Sequence, residues 1–333
     1  MTIEALFDDS SVELPMPSTP TIDVLAVAKL SPLLAPQLQA AFVMHDRLHE
    51  TDAAAFAAVA PRIRGIAASG ESKVGDALMA QLPALKIISV MGVGYDGIDV
   101  AAAKARGVMV THTPDVLNDD VADLAIGLML GAARQLPQAD RYVREQKWLE
   151  GAMPLARKMS GARLGIVGMG RNGKAIAQRA LAFNMSVAYT ARSAKPELPY
   201  AFHATAVALA AASDFLVAIT PGGAGTRKLL NAEVFEALGK DGIVVNVARG
   251  SVIDEAALID ALERGVIAGA GLDVFEDEPR VPERLRQLPQ VVLAPHIGSA
   301  TQATRQAMAD LAADNLRLFL SGQPVKTPVP ECR

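Results

Sequence analysis

The chain is poor in cysteine, in clustered positive charge and in long apolar runs. Its one cysteine, Cys332, has no partner for an internal disulfide, so the fold must rest on its core, as suits a reducing compartment. The 32 basic residues are outnumbered by 36 acidic ones and form no basic block. Nothing therefore offsets a phosphate backbone, and nucleic acid is not an expected partner. No uncharged apolar run approaches the roughly 20 residues needed to cross a bilayer, which argues against a membrane partner. Acidic residues Glu4, Asp8 and Asp9 stand where a secretory signal needs positive charge, so a cytoplasmic location is expected. His45 and His49 are four apart but lack the acid of a zinc-protease helix, and read as an exposed helix face. No metal site is expected.

What is present is a large apolar fraction, 51%, which excludes a disordered chain. At 333 residues two domains are expected. From Thr21 onward short apolar runs alternate with amphipathic ones. Ile22 to Ala28, Ile63 to Ala67 and Ile87 to Val90 read as strands, with helices over Leu33 to Phe42 and Val74 to Gln81 between them. Further strands are predicted at Arg163 to Val167, Ser186 to Thr190, Phe215 to Ile219, Ile243 to Val247, Ala268 to Leu272 and Val291 to Leu293. Asn118 to about Gln146 reads as one long helix and Thr301 to Leu320 as a final one. The proline-bearing residues 1 to about 20 read as a loosely held arm. This alternation is that of an α/β protein with two doubly wound parallel sheets. The expected division is 1–112 and 298–333 as one domain, with 113–297 inserted between them.

The sharpest motif is Gly168-Met169-Gly170-Arg171-Asn172-Gly173, which follows a strand and opens a helix. The first glycine permits the turn, the second lets backbone approach a pyrophosphate, and the third brings helix against strand. A dinucleotide is the implied ligand. About twenty residues on, where an NAD protein usually has an acid for the ribose, the chain reads Thr190-Ala191-Arg192-Ser193-Ala194-Lys195. Arg192, Ser193 and Lys195 suit a 2′-phosphate, so NADPH is preferred and NADH is the lesser option. Thr220-Pro221-Gly222-Gly223 follows another strand and should line the cleft.

Three residues further along carry chemistry. Arg249 follows the strand Ile243 to Val247, and its planar fork suits a carboxylate with an adjacent carbonyl. His296 follows a strand and Pro295, well placed to give a carbonyl oxygen its proton. Glu278 can orient that imidazole and keep it protonated near neutral pH. Cation, proton donor and dinucleotide together point to hydride transfer to a 2-oxo acid.

In these motifs the chain resembles the D-isomer-specific 2-hydroxyacid dehydrogenase family from about residue 60 to the end. The turn at Arg192-Ser193 and the run Thr220-Pro221-Gly222-Gly223 are most similar to its NADPH-preferring glyoxylate/hydroxypyruvate reductases. The resemblance implies a Rossmann cofactor domain inserted in a discontinuous flavodoxin-like substrate domain. It implies Arg249 for substrate binding, Glu278 and His296 as the acid/base pair, and Asp273 beside the nicotinamide carboxamide. Val247, Ala248 and Gly298 join the cofactor contacts. The glycine turn Gly92-Val93-Gly94 would receive the substrate carboxylate on the amides of Val93 and Gly94. The arm at about 118–150 would pair two subunits as a homodimer, with Trp148 reaching the partner's active site. Two departures stand out: Asn172 where an apolar residue is common, and His112 where an asparagine is common.

The leading expectation is an NADPH-dependent reductase of glyoxylate and hydroxypyruvate, making D-2-hydroxy acids. Reduction of bulkier 2-oxo acids, such as phenylpyruvate or sugar-derived keto acids, is the alternative within enzymes. A dinucleotide-sensing binding protein is the alternative outside them. A formate dehydrogenase is disfavoured because it would carry glutamine at Glu278.

Overall fold

The computed structural model describes residues 21–333; the expected N-terminal arm lies outside the described residues. Two sheets organise the chain. The first has five strands: β1 Asp23–Ala26, β2 Val43–Asp46, β3 Ile63–Ser69, β4 Ile87–Met91 and β5 Met109–Thr111. They lie in the order β2-β1-β3-β4-β5, every pairing parallel. The second holds β6 Arg163–Val167, β7 Ser186–Thr190, β8 Ala201–Phe202, β9 Phe215–Ala218, β10 Ile243–Asn246, β11 Gly269–Leu272 and β12 Val291–Leu293. Its order is β12-β11-β10-β9-β6-β7-β8, again parallel.

Parallel strands are linked by crossovers that cover both faces, so the central ones are apolar almost throughout. β1, β4, β9, β10 and β11 are buried at every residue. The direction of winding in the second sheet reverses between β6 and β9, and the strand ends there open a crevice for a ligand. In the first sheet the order reverses between β1 and β3.

The two sheets are tied by long helices. Helix Gln302–Leu320 returns to the first sheet, where the Ser89 hydroxyl donates to the Ala312 carbonyl (2.9 Å). Gly65 on β3 leaves only enough room for Leu316 and Leu320 above it. Helix Asn118–Arg134 covers the second sheet, its Leu128 lying against Gly271 of β11. Arg179 of helix Arg171–Ala182 bridges to Asp119 (3.0 Å) and Asp123 on that helix.

Several expectations are corrected. The stretch from Asn118 to Gln146 is not one helix. Gln135 adopts a left-handed conformation (φ 51°), Pro137 follows in the first turn, and a second helix runs over Leu136–Arg144. Proline cannot supply the amide that a continuous helix needs. His45 and His49 do not share an exposed helix face. His45 lies on β2, with Nε2 2.7 Å from Asp23, while His49 sits in a short helix, Leu48–Thr51, against the Phe56 ring. Strands β2, β5 and β8 were missed, being polar, three residues long and two residues long respectively. The predicted helices over Leu33 to Phe42 and Val74 to Gln81 shrink to Ala35–Gln39 and Asp76–Met79.

Candidate active site

The glycine loop leaves β6 at Gly168, whose φ of 107° favours glycine. A Cβ there would lie 2.8 Å from the Ile219 carbonyl oxygen, and one on Gly173 would strike the Gly168 carbonyl. Gly170 is the contrast. A Cβ on it meets nothing within 4 Å, so the backbone opening helix Arg171–Ala182 is free for a diphosphate to approach, with the helix amides aimed at it. Met169 is buried beneath the loop and Asn172 is half-buried. Arg171 turns outward to Asp115 (2.9 Å).

At the end of β7 the buried Tyr189 hydroxyl accepts the Lys195 amide (2.6 Å) and pins the turn. Arg192 and Ser193 are exposed on it. No acidic side chain occupies this turn from Thr190 to Lys195, so the residues fit a 2′-phosphate better than a bare ribose. Thr220 and Pro221 follow β9 across the crevice, and Thr226 donates to the Pro221 carbonyl (2.7 Å), closing that loop.

Beyond β10, buried Asn246 accepts the Ala248 amide (3.0 Å) and donates to the Arg249 carbonyl (3.0 Å). This brace fixes Val247 and Ala248 in the interior and directs Arg249 outward. Arg249 Nε pairs with Asp96, in the turn after β4 (3.0 Å), and its Nη1 donates to the Ala248 carbonyl (2.7 Å). Its guanidinium fills the space a Cβ would take on Gly94. The expected substrate turn and the expected substrate arginine are therefore in contact. On that turn the Val93 carbonyl accepts from His112 Nδ1 (3.0 Å), and His112 lies edge-on to Tyr95.

β11 delivers Asp273, which is buried and accepts the amides of Ile297 (2.7 Å) and Gly298 (2.8 Å). Burial raises its pKa, and the two amides only partly oppose that. The same amides hold the loop after β12, where His296 has a left-handed φ of 53° and donates its amide to the Asp273 carbonyl (2.9 Å). His296 Nδ1 lies 2.7 Å from Glu278 Oε2, and Glu278 Oε1 accepts the Phe275 amide (2.9 Å). The Glu278 hydrogen bond raises the His296 pKa against the opposing effect of burial. For Glu278, burial pushes upward, but the bonds from His296 and Phe275 bring it below the ordinary value. The carboxylate thus stays charged and a proton stays on Nδ1, leaving Nε2 as the nitrogen able to exchange a proton.

Arg249, Glu278, His296, Val93 and Gly94 therefore come together where the ends of the two sheets meet. Trp148 does not join them. It lies 68% exposed in the turn Lys147–Leu149. Two residues beside the site were not anticipated: Asp96, on the Arg249 guanidinium, and Glu71, 3.3 Å from His296 Nδ1. Glu71 follows the C-terminal end of β3, and strand ends of this kind are where ligand groups gather.

The family model for the D-isomer specific 2-hydroxyacid dehydrogenase NAD binding domain matches residues 126–298, just over half of the chain. The chain belongs to this family. As a D-2-hydroxyacid dehydrogenase it is an oxidoreductase of nicotinamide chemistry, and its seven-stranded sheet is the Rossmann domain. Among relatives, it is 43% identical over 309 residues to hydroxyphenylpyruvate reductase of Plectranthus scutellarioides, covering 92% of this chain and 99% of that one. It is 47% identical over 267 residues to glyoxylate/hydroxypyruvate reductase A of Arabidopsis thaliana, covering 80% and 85%. Among solved structures it is similar to an NADPH-dependent glyoxylate/hydroxypyruvate reductase from Sinorhizobium meliloti in complex with NADP and malonate. There the TM-score is 0.88 at 47% identity, over 95% of this chain and 98% of that one.

Proposed function

We propose that this dehydrogenase reduces small 2-oxo acids, glyoxylate and hydroxypyruvate among them, to D-2-hydroxy acids with NADPH. The observation that carries the reading is the 2.7 Å His296–Glu278 pair set beside Arg249 and a glycine loop free to take a diphosphate. Gly168, Met169, Gly170, Arg171, Asn172 and Gly173 would hold the diphosphate, and Arg192, Ser193 and Lys195 the 2′-phosphate. Thr220, Pro221, Val247, Ala248, Asp273 and Gly298 would border the rest of the cofactor. Bound there, the reduced nicotinamide supplies the hydride.

The chain's own residues do the remainder. The amides of Val93 and Gly94, with the Arg249 guanidinium, hold the substrate carboxylate, and Arg249 polarises the carbonyl. His296 delivers a proton from Nε2 to the carbonyl oxygen, while Glu278 holds the imidazole and stabilises its charge. The domain division that fits this work is 1–112 with 298–333 for substrate, and 113–297 for cofactor. Leu136, Val143, Trp148 and Leu149 are exposed along the arm, and this supports a homodimer paired through it. No helix among the described residues is long and apolar enough to cross a membrane, and we place the enzyme in the cytoplasm.

Initial reduction rates for glyoxylate, hydroxypyruvate, pyruvate and phenylpyruvate, each with NADPH and NADH, test the reading. Fast turnover of the small acids with NADPH supports it. The similarity to a hydroxyphenylpyruvate reductase favours one second reading, a wider pocket for aryl 2-oxo acids, and a preference for phenylpyruvate would select it. Tight NADPH binding with no turnover of any acid would overturn both.

A further inference from the structure

The turn after β3 is built more firmly than an ordinary surface loop. The Ser72 hydroxyl, buried, accepts the Ser69 amide (2.9 Å) and meets the Ser69 hydroxyl (3.1 Å), while the Ser72 amide donates to the Ser69 carbonyl (3.2 Å). This turn packs backbone to backbone on the substrate turn. A Cβ on Gly92 would lie 2.9 Å from Gly70 Cα, and one on Gly97 would strike the Ser72 carbonyl. The position of residue 71 is therefore fixed relative to Val93 and Gly94. Glu71 leans from there across the gap between the sheets, its carboxylate 3.3 Å from His296 Nδ1 and its side chain 70% exposed to the opening.

The charges around the gap do not balance. Arg249 already faces Asp96 at 3.0 Å and His296 already faces Glu278 at 2.7 Å. Glu71 is a third carboxylate, and its ion-pair partner among the described residues is that same His296. We propose that a 2-oxo acid seated with its carboxylate on the glycine turn and its carbonyl toward His296 directs its third carbon toward Glu71, and that Glu71 is a specificity-determining residue: its carboxylate accepts a hydrogen bond from a hydroxyl on the third carbon and repels a second anionic group there. The site then takes hydroxylated monocarboxylic 2-oxo acids and refuses dicarboxylic and phosphorylated ones. This rests on the reductase reading above and names its substrate class.

The test compares kcat/KM for hydroxypyruvate, pyruvate and oxaloacetate in the full-length enzyme and in Glu71→Gln, Glu71→Lys and Glu71→Asp. Removing the charge should raise the oxaloacetate-to-pyruvate ratio about tenfold, the scale of one partly screened charge contact. Lysine should raise it further, aspartate should stay near wild type, and the hydroxypyruvate-to-pyruvate ratio should fall in the glutamine and lysine variants. Ratios within one variant are independent of how much of it folds. If the three substrates rise or fall in parallel across the series, this inference is overturned while the reductase reading stands. If wild type reduces none of the three but does reduce glyoxylate or phenylpyruvate, this inference alone is overturned; if it reduces none of the five with either nicotinamide, the reductase reading falls and takes this inference with it.

Discussion

His296 Nδ1 and Glu278 Oε2 stand 2.7 Å apart, the carboxylate fixed at its other oxygen by the Phe275 amide. That bond raises the imidazole pKa above its ordinary 6.5, and reduction needs the protonated form. The active form therefore persists above the usual imidazole range, and turnover in the reducing direction should fall as pH rises through the raised value. Oxidation of the hydroxy acid needs neutral imidazole and should show the opposite limb. In Glu278→Gln the largest upward influence is gone, so the reducing limb should move to lower pH. A kcat profile against pH checks this, and an unmoved limb would count against the pair. His296→Ala should lower kcat by roughly 10²–10⁴, the usual worth of a general acid, with NADPH binding nearly intact.

Arg192 stands exposed at the end of β7, on a turn pinned by Tyr189. Its proposed partner is the 2′-phosphate, which NADH lacks. Arg192→Ala should weaken NADPH by about tenfold or more, as loss of a charge-assisted contact does, and leave NADH within about twofold. Titration of both reduced nucleotides by fluorescence decides it. Equal losses would mean that the guanidinium meets no phosphate.

The sites at strand ends were legible in the sequence because each closely follows an apolar run: Gly168 after β6, Arg249 after β10, His296 after β12. Backbone chemistry made the glycine loop readable, since Gly168 and Gly173 occupy places where a side chain collides. Glu71 and Asp96 were not legible. They reach the site only because the first sheet folds back against the second, a contact that local spacing does not encode. The break at Gln135 did have a local signal, Pro137 two residues on, which removes an amide that a continuous helix would use; the helix-favouring Ala and Leu on both sides outweighed it in the sequence pattern. Short strands such as β2, whose Val-Met-His-Asp has no apolar run, depend on pairing with β1.

Asp273 is the support beneath His296. It is 2% exposed and accepts two backbone amides, from Ile297 and Gly298. Asp273→Ala leaves the buried Gly298 amide unpaired, at about 1–3 kcal/mol, and the part-buried Ile297 amide unpaired, at about half that. The variant should lose roughly 2–4 kcal/mol of stability and should reduce substrate poorly, because the loop carrying His296 loosens. Asp273→Asn keeps one acceptor oxygen and should lose about half as much. Urea unfolding alongside steady-state rates separates the two effects. A stable Asp273→Ala with wild-type turnover would mean that the loop is held by other contacts.

Trp148 and Leu149 stand 68% and 83% exposed on the arm, far more than large apolar side chains usually are, and Leu155 is fully exposed beyond them. In the proposed homodimer these side chains are covered by the second subunit, so Leu149→Glu should shift the protein toward monomer in sedimentation velocity. Whether Trp148 reaches the partner's site is decided by mixing. Trp148→Ala alone should change the relative kcat/KM of phenylpyruvate and pyruvate, and His296→Ala alone should be nearly inactive. After subunit exchange between the two variants, each mixed dimer holds one site with an intact His296 and a tryptophan supplied by the other chain. An equal mixture then restores wild-type selectivity in about a quarter of all sites, following from random pairing of two subunits. A mixture that shows only the average of its parts would mean that Trp148 serves the interface and not the neighbouring site.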